Sequence, residues 1–262
     1  MRWRHRVSLS WLQQRQNHLT ATDIKDLLPY TNTGRDKKIT EWDYVKVYSR
    51  KMTELTEDDC WSEGVAARGH LLEPYAINSF NAITSGGLYH WDDCVIYNEN
   101  EFGLSYSPDG LNIDCQQFIP RPTKSIPNPT LSPKISCTKI EPTMLGEVKS
   151  YGVEKHYKTA YTAANKLEER WQIATAMTVN PTIKEAFLVL YNPDIKIKDE
   201  QVFIVKYNRE DLLNEIDTIK KIEKNWLEFV KAPTVYPPYA QGKSSITSEK
   251  IKEELKISPL GL

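Results

Sequence analysis

The chain has 262 residues, 40% of them hydrophobic, which is enough to bury a sizeable core in one elaborated domain. Lysine and arginine number 34 against 35 aspartates and glutamates, so the formal net charge of -1 excludes a global field for polyanions, and any nucleic-acid site must be a local basic patch. Cys60, Cys94, Cys115 and Cys137 have neither the CxxC spacing of a zinc site nor the density of a disulfide scaffold, and do not resemble the ligands of an iron–sulfur cluster; reduced, partly buried thiols are expected. The basic first residues lack the apolar core of a signal peptide, and no run of about 20 apolar residues could span a bilayer, so a cytoplasmic protein with no membrane partner is expected.

Residues 9–28 read as two short helical pieces, the second opening between Thr20 and Asp23, whose side chains can cap free amides. A further helix is expected from Glu41 to Leu55. From Ala66 to Ile83 the residues Leu71, Leu72, Tyr75, Ala76, Phe80 and Ile83 recur at three-to-four spacing, the stripe of a helix laid on a core, and Glu73 falls on that helix. Leu88 to Leu111 alternates apolar runs with turn residues as a β-meander does, leaving Asp109 at a strand end. Residues 118–143 are rich in proline, serine and threonine and read as a long inserted loop.

Met144 to Ser150 is a strand candidate. Tyr157 to Val179 reads as one helix, with Ala160, Ala163, Ala164, Leu167, Trp171, Ala174 and Met177 along its apolar stripe. Strands are expected over Ala186 to Tyr191 and Gln201 to Tyr207, then an amphipathic helix over Arg209 to Val230 carrying Leu212, Leu213, Ile216, Ile219, Ile222, Trp226 and Phe229. Residues 233–262 turn to Pro, Ser, Lys and Glu, a loosely ordered tail with one weak helix near Ser248 to Leu255. The expected architecture is a single α/β domain over residues 1–232, a central mixed sheet flanked by helices.

Ser107-Pro108-Asp109-Gly110, followed across the insert by Glu147-Val148-Lys149, has the form PD…ExK. Residues two apart in a strand share a face, so Glu147 and Lys149 can address one reaction centre while Val148 turns into the core. Asp109 from a neighbouring strand end and Glu73 from a helix would complete a set of hard oxygen donors for Mg²⁺, with Mn²⁺ as a substitute and the Val148 carbonyl as a further ligand. Such a cage polarises a phosphate and acidifies a water, while Lys149 orients that water or stabilises the charge of a pentavalent transition state. Each fragment alone is ordinary: ExK arises by chance at this length, and PDG is a good turn.

More motifs occur in order. Trp11-Leu12-Gln13-Gln14-Arg15, Leu19-Thr20-Ala21-Thr22-Asp23, Arg68-Gly69-His70-Leu71-Leu72-Glu73, Ser107-Pro108-Asp109-Gly110-Leu111, Glu147-Val148-Lys149, then Gln172 and Met177 follow one another. Over roughly residues 9–210 the series resembles the YqaJ-like viral recombinase family of the PD-(D/E)xK nuclease superfamily, which includes bacteriophage lambda exonuclease. The resemblance implies a restriction-endonuclease-like core and a Mg²⁺-dependent deoxyribonuclease of phage-type recombination that digests linear double-stranded DNA from the 5′ end and leaves 3′ single strands.

Residue by residue, the resemblance makes Asp109 and Glu147 the metal-binding carboxylates, Lys149 the catalytic lysine, Glu73 the helix glutamate of the active site and Gln172 the glutamine beside the metal. Arg15 and Thr22 take the places of the arginine and serine that hold the 5′-phosphate of a DNA end, roles that suit a guanidinium fork and a hydroxyl at a helix start. Also implied are a ring-shaped trimer, in which a near-neutral chain encloses DNA with only its lining basic, and a single-strand annealing protein as partner. Two features depart from the family: the insert at 118–143 replaces a tight hairpin between the PD and ExK strands, and Thr22 replaces a serine.

Two rival readings stay open, an endonuclease or defence nuclease using the same metal site and a catalytically silent DNA-binding or scaffold subunit. Apart from the resemblance, Arg15 is an ordinary surface arginine and Thr22 a helix cap. His70 and His156 read as surface or core residues, although His156 follows ExK closely enough to touch DNA. Lys220, Lys221 and Lys224 mark a solvated helix face. Trp61, Tyr89 and Trp91 read as core residues in preference to a wedge for a DNA end.

Overall fold

The computed structural model describes residues 4–29, 36–118, 134–162 and 167–231, so the expected tail, most of the proline-rich insert, and Ala163 and Ala164 lie outside the described residues. In chain order the elements are β1 (Arg4–Arg6), α1 (Leu9–Gln16), α2 (Ala21–Asp26), α3 (Glu41–Lys51), β2 (Trp61–Glu63), α4 (Gly64–Thr84), β3 (Tyr89–His90), β4 (Val95–Tyr97), β5 (Ser105–Tyr106), β6 (Gly110–Leu111), β7 (Lys134–Ser136), β8 (Met144–Lys149), α5 (Val153–Thr162), α6 (Leu167–Val179), β9 (Glu185–Tyr191), β10 (Val202–Asn208) and α7 (Leu213–Lys231).

The central sheet runs β10-β9-β8-β6-β3. β8 and β9 are parallel and the other neighbours antiparallel, which makes it a mixed sheet. A parallel pair needs a crossover, and α5 and α6 provide it. Alternation along β8 separates two cores. Leu145 joins Leu188, Leu190, Ile173 and Met177 on the α6 face, where Ile216, Ile219 and Trp226 of α7 close the layer. Val148 points the other way, into a smaller cluster with Ala76, Ile77 and Phe80 of α4. Glu147 and Lys149 therefore share the α6 face, as residues two apart must.

Two glycines let α4 approach this sheet. Gly110 and Gly146 are partners across β6 and β8. A Cβ on Gly110 would lie 2.7 Å from Ile77 Cδ1, and one on Gly146 would lie 3.2 Å from the same atom and 2.8 Å from Leu88 Cδ1. Ile77 follows Glu73 by one helical turn, so the close approach also fixes the height of Glu73 over the sheet. Pro74, inside α4, has no amide hydrogen for the His70 carbonyl one turn earlier.

At the N-terminal side, the Ser8 hydroxyl accepts from Trp11 N at 3.2 Å to cap α1. Thr20 and Asp23 form a capping box on α2, with Thr20 N donating to Asp23 Oδ2 at 2.9 Å. Leu19 N donates to Gly103 O at 2.9 Å and Ser105 N to Leu19 O at 3.0 Å, which ties the α1–α2 corner to β5.

Several local expectations are corrected. Leu88 to Leu111 is no simple meander: β3 and β6 enter the central sheet, while β4 and β5 form a second sheet with β7. Lys134–Ser136, expected within the loop, is that β7, paired parallel to β4, because Ile135 has a buried place beside Ile96. The helix expected from Tyr157 begins at Val153; α5 and α6 cover both ends of the expected span, and residues 163–166 between them lie outside the described residues. α3 stops at Lys51, short of Leu55, where the Thr53 hydroxyl takes the Ser49 carbonyl at 3.0 Å. On α4 the buried stripe is Leu72, Ala76, Ile77 and Phe80; Leu71, Tyr75 and Ile83 face outward because the sheet lies under the opposite side. Leu213 of α7 is likewise exposed.

Trp91 is core, its Nε1 donating to Ile113 O at 2.7 Å, but Trp61 and Tyr89 are exposed, at 47% and 50%. His156 is wholly buried against Phe203, its Nε2 3.1 Å from Glu200 O, so it cannot touch DNA. Cys60, Cys94 and Cys115 are buried and Cys137 half-buried, all four as free thiols. Among the described residues no helix is long and apolar enough to cross a membrane.

Candidate active site

Asp109 stands one residue before Gly110 and Glu147 one residue after its partner Gly146, so the two carboxylates lie just past the end of the β6–β8 ladder. Asp109 Oδ2 accepts from the Val148 amide at 2.7 Å, locking the carboxylate across the strand gap. The insert leaves and rejoins without disturbing this pairing. Glu147 is 4% exposed, and its Oε1 lies 2.5 Å from Lys149 Nζ. Around these residues is a cavity of about 240 Å³, lined also by Trp11, Arg15, Glu73, Ser107 and Gln172. The Val148 side chain belongs to the α4 core, leaving its backbone at the cavity wall.

Glu73 reaches the cavity from α4 between two imidazoles. His70 Nδ1 stands 3.1 Å from one carboxylate oxygen and His90 Nε2 3.6 Å from the other. Burial opposes ionisation of Glu73, but the close His70 imidazole and the charges of His70 and His90 outweigh it and hold the carboxyl at about 2. His5 of β1 stacks on His70 with ring centroids 4.9 Å apart, closing the clamp from outside.

Arg15 projects from α1 with its guanidinium 4.5 Å over the Trp11 ring and its NH1 donating to Ser107 Oγ at 3.1 Å. Its carbonyl accepts from Lys51 Nζ at 3.2 Å, and that ammonium is paired to the buried Asp23 at 2.6 Å. Thr22 does not line the cavity of the carboxylates. It is exposed and borders an adjoining depression shared with Arg15, Arg50 and Lys51, so Arg15 lies between the two. Thr20, not Thr22, caps α2.

The charges in the cavity are mutually strained. Burial, then the charges of Glu147 and Glu73, push the Asp109 carboxyl well above the usual carboxylate range. Burial also raises Glu147, against the pull of Lys149. Burial alone would lower Lys149, but Glu147 and Asp109 outweigh it, so its ammonium is held charged. Desolvation lowers Arg15, countered by Asp23, Asp109 and Glu147.

This donor set fits a divalent cation: three carboxylates facing one cavity carry hard oxygens, and the repulsion that Glu147 and Glu73 still exert on Asp109 is one a small ion would remove. Among the described residues no three His, Cys, Asp or Glu side chains already stand in metal-holding geometry, and Lys149 occupies one Glu147 oxygen. Seating an ion on that oxygen requires the ammonium to move.

No family model and no curated protein matches the sequence. Solved structures do align with it. An alkaline exonuclease, LHK-Exo from Laribacter hongkongensis, superimposes with a TM-score of 0.54 at 18% identity, over 84% of this chain and 95% of that one. The chain shares the fold of that structure. A second structure of LHK-Exo, in complex with dAMP, aligns equally well. A phage related exonuclease from Haemophilus somnus aligns more loosely, with a TM-score of 0.44 at 12% identity over 87% of this chain and 96% of that one.

Some residues of the cavity went unseen in the sequence. His70 stands three before Glu73 on a helix, a spacing that brings side chains together, so its contact was available. Ser107 lay inside the PD motif itself. His90 had no local signal, because it reaches Glu73 only through the pairing of β3 with β6.

Proposed function

We propose that the chain is a Mg²⁺-dependent DNA exonuclease that digests linear double-stranded DNA from the 5′ end and leaves 3′ single-stranded overhangs, as in phage-type recombination. The observation that carries this reading is the meeting of Asp109 and Glu147 at the end of the β6–β8 ladder, with Lys149, Glu73, Gln172 and Arg15 around the same cavity. A fold shared with an alkaline exonuclease supports it, as does that protein's complex with a mononucleotide.

Asp109, Glu147 and the Val148 carbonyl, with Glu73 on the far side, would hold Mg²⁺, and Mn²⁺ could take its place. The ion supplies positive charge against the scissile phosphate and acidifies an attacking water. Lys149 contributes an ammonium that orients the water and stabilises negative charge as it develops. Gln172 offers an amide able to hold the water in line. Arg15, with its fork braced by Trp11 and Ser107, receives the 5′-phosphate, and Thr22 adds a hydroxyl from the neighbouring depression. His70 and His90 hold the Glu73 carboxylate at the cavity edge, one imidazole against each oxygen. The same reading makes double-stranded DNA ends the partner, a ring trimer of this chain the working assembly, and a single-strand annealing protein the recipient of the product.

The test is a Mg²⁺-dependent digestion of linear duplex bearing a 5′-phosphate, linear duplex lacking it, and closed circles. Expected are loss of the phosphorylated linear DNA, slower loss of the unphosphorylated, intact circles, and no cutting in chelator. Cut circles would replace the exonuclease reading with an endonuclease one. No cutting of any substrate would leave the silent-subunit reading standing.

A further inference from the structure

Glu169 of α6 is a buried carboxylate that the proposed chemistry does not use. It is 1% exposed. Its Oε1 accepts from the Tyr151 hydroxyl at 2.7 Å, while among the described residues its Oε2 is buried with no hydrogen-bond donor. A buried oxygen without a partner is costly and marks a place for a donor. Glu169 stands one helical turn before Gln172, which lines the cavity. Tyr151 stands two residues beyond Lys149, which itself stands two beyond Glu147. The ammonium of Lys149 feels the charge of Glu169 in addition to those of Glu147 and Asp109.

In the present arrangement Lys149 neutralises Glu147 at 2.5 Å. A divalent cation seated on Glu147 and Asp109 cannot share that oxygen with an ammonium, and the two positive charges would repel at close range. Lys149 must then leave Glu147, and an ammonium in a half-buried site needs another anion. We propose that Glu169 is a positioning residue: oriented by Tyr151, it is the alternative counter-charge that draws Lys149 off Glu147 and so frees Glu147 for the metal. The inference rests on the metal-site reading above and assigns Glu169 no contact with substrate.

The test uses the DNA-free protein, titrated with Mn²⁺ alone and followed by electron paramagnetic resonance. Glu169→Gln, which keeps the shape and the acceptor for Tyr151 but removes the charge, weakens Mn²⁺ binding about tenfold, within the range of coupling between neighbouring side chains. Tyr151→Phe, which keeps the charge but not its orientation, weakens it by about threefold, and serves if Glu169→Gln does not fold. The decisive arm is a Lys149→Met background, in which Lys149 no longer competes for Glu147. There neither substitution changes Mn²⁺ affinity by more than about twofold if Glu169 acts through Lys149.

An equal loss in both backgrounds would show that Glu169 attracts the ion directly through its charge and would overturn the inference. So would unchanged affinity in the single variants. A parent protein that shows this coupling yet cuts no DNA defeats the nuclease reading alone; one that cuts DNA while the effects simply add defeats this inference alone.

Discussion

Asp109 and Glu147 are set side by side by the backbone, whereas Arg15 and Glu73 are brought to them by side-chain contacts between distant segments. On the strand side, the register of β6 on β8 and a bond from the Val148 amide fix both carboxylates with little dependence on their neighbours' identity. On the helix side, Glu73 is held by His70 and His90, and Arg15 by Trp11, Ser107 and the Lys51–Asp23 pair. The strand side therefore depends on its reactive groups and on the two glycines under α4, and the helix side has many points at which it can be loosened.

The largest effect comes from breaking the strand side at its reactive group. Asp109→Asn keeps an oxygen for the Val148 amide, so the fold survives, but on the proposed reading it removes a metal-binding charge, and activity should fall roughly 10³-fold. Because burial and the charges of Glu147 and Glu73 disfavour an ionised Asp109, the variant melts no lower than the parent in the absence of metal. A clear drop in melting temperature would mean that the carboxylate is structural. On the helix side, Arg15→Ala would on the proposed reading remove charge-assisted bonds to a terminal phosphate, and digestion of 5′-phosphorylated ends should slow by about 10- to 100-fold. Ends without the phosphate slow far less. Equal slowing of both would remove Arg15 from phosphate recognition.

The joint between the two sides offers an intermediate effect. A Cβ on Gly146 meets Ile77 and Leu88 inside 3.3 Å, and Gly146→Val adds two methyls to that contact. Overpacking of this kind costs about 1–3 kcal/mol. α4 must rise to relieve it, carrying Glu73 away from Asp109. Gly146→Val should thus lower both the melting temperature and the turnover at saturating Mg²⁺, and substituting Ile77 by Ala in the same chain should restore part of each. Turnover that stays at the parent level despite the lost stability would separate Glu73 from the chemistry.

These differences also explain what could be read from the sequence. The PD…ExK pair was legible because strand alternation is local: Glu147 and Lys149 share a face wherever the strand sits. The capping box of Thr20 and Asp23, and the buried stripe of α7 from Leu212 to Trp226, were legible for the same reason. The insert misled because Lys134–Ser136 becomes a strand only through its distant partner β4. On α4, Leu71 and Tyr75 have the right spacing for a core stripe, but which side of an apolar helix faces the sheet is decided by the two glycines of β6 and β8, remote in the chain. His90 and Glu169 were invisible for a third reason: each acts through one side chain delivered by tertiary packing.

The smallest effect is the sharpest on the helix side. Thr20 caps α2, so Thr20→Ala should cost about 1 kcal/mol of stability. Thr22 is exposed and caps nothing, and Thr22→Ala should leave stability within about 0.5 kcal/mol. If Thr22 donates to the 5′-phosphate beside Arg15, its loss should nonetheless slow digestion of phosphorylated ends about fivefold, the worth of one neutral hydrogen bond, and spare ends that lack the phosphate. A Thr22→Ser variant keeps the hydroxyl and should behave as the parent. Thr22→Ala with parental rates on both substrates would confine recognition to Arg15 and Ser107, and the depression beside them would have no part in choosing where digestion begins.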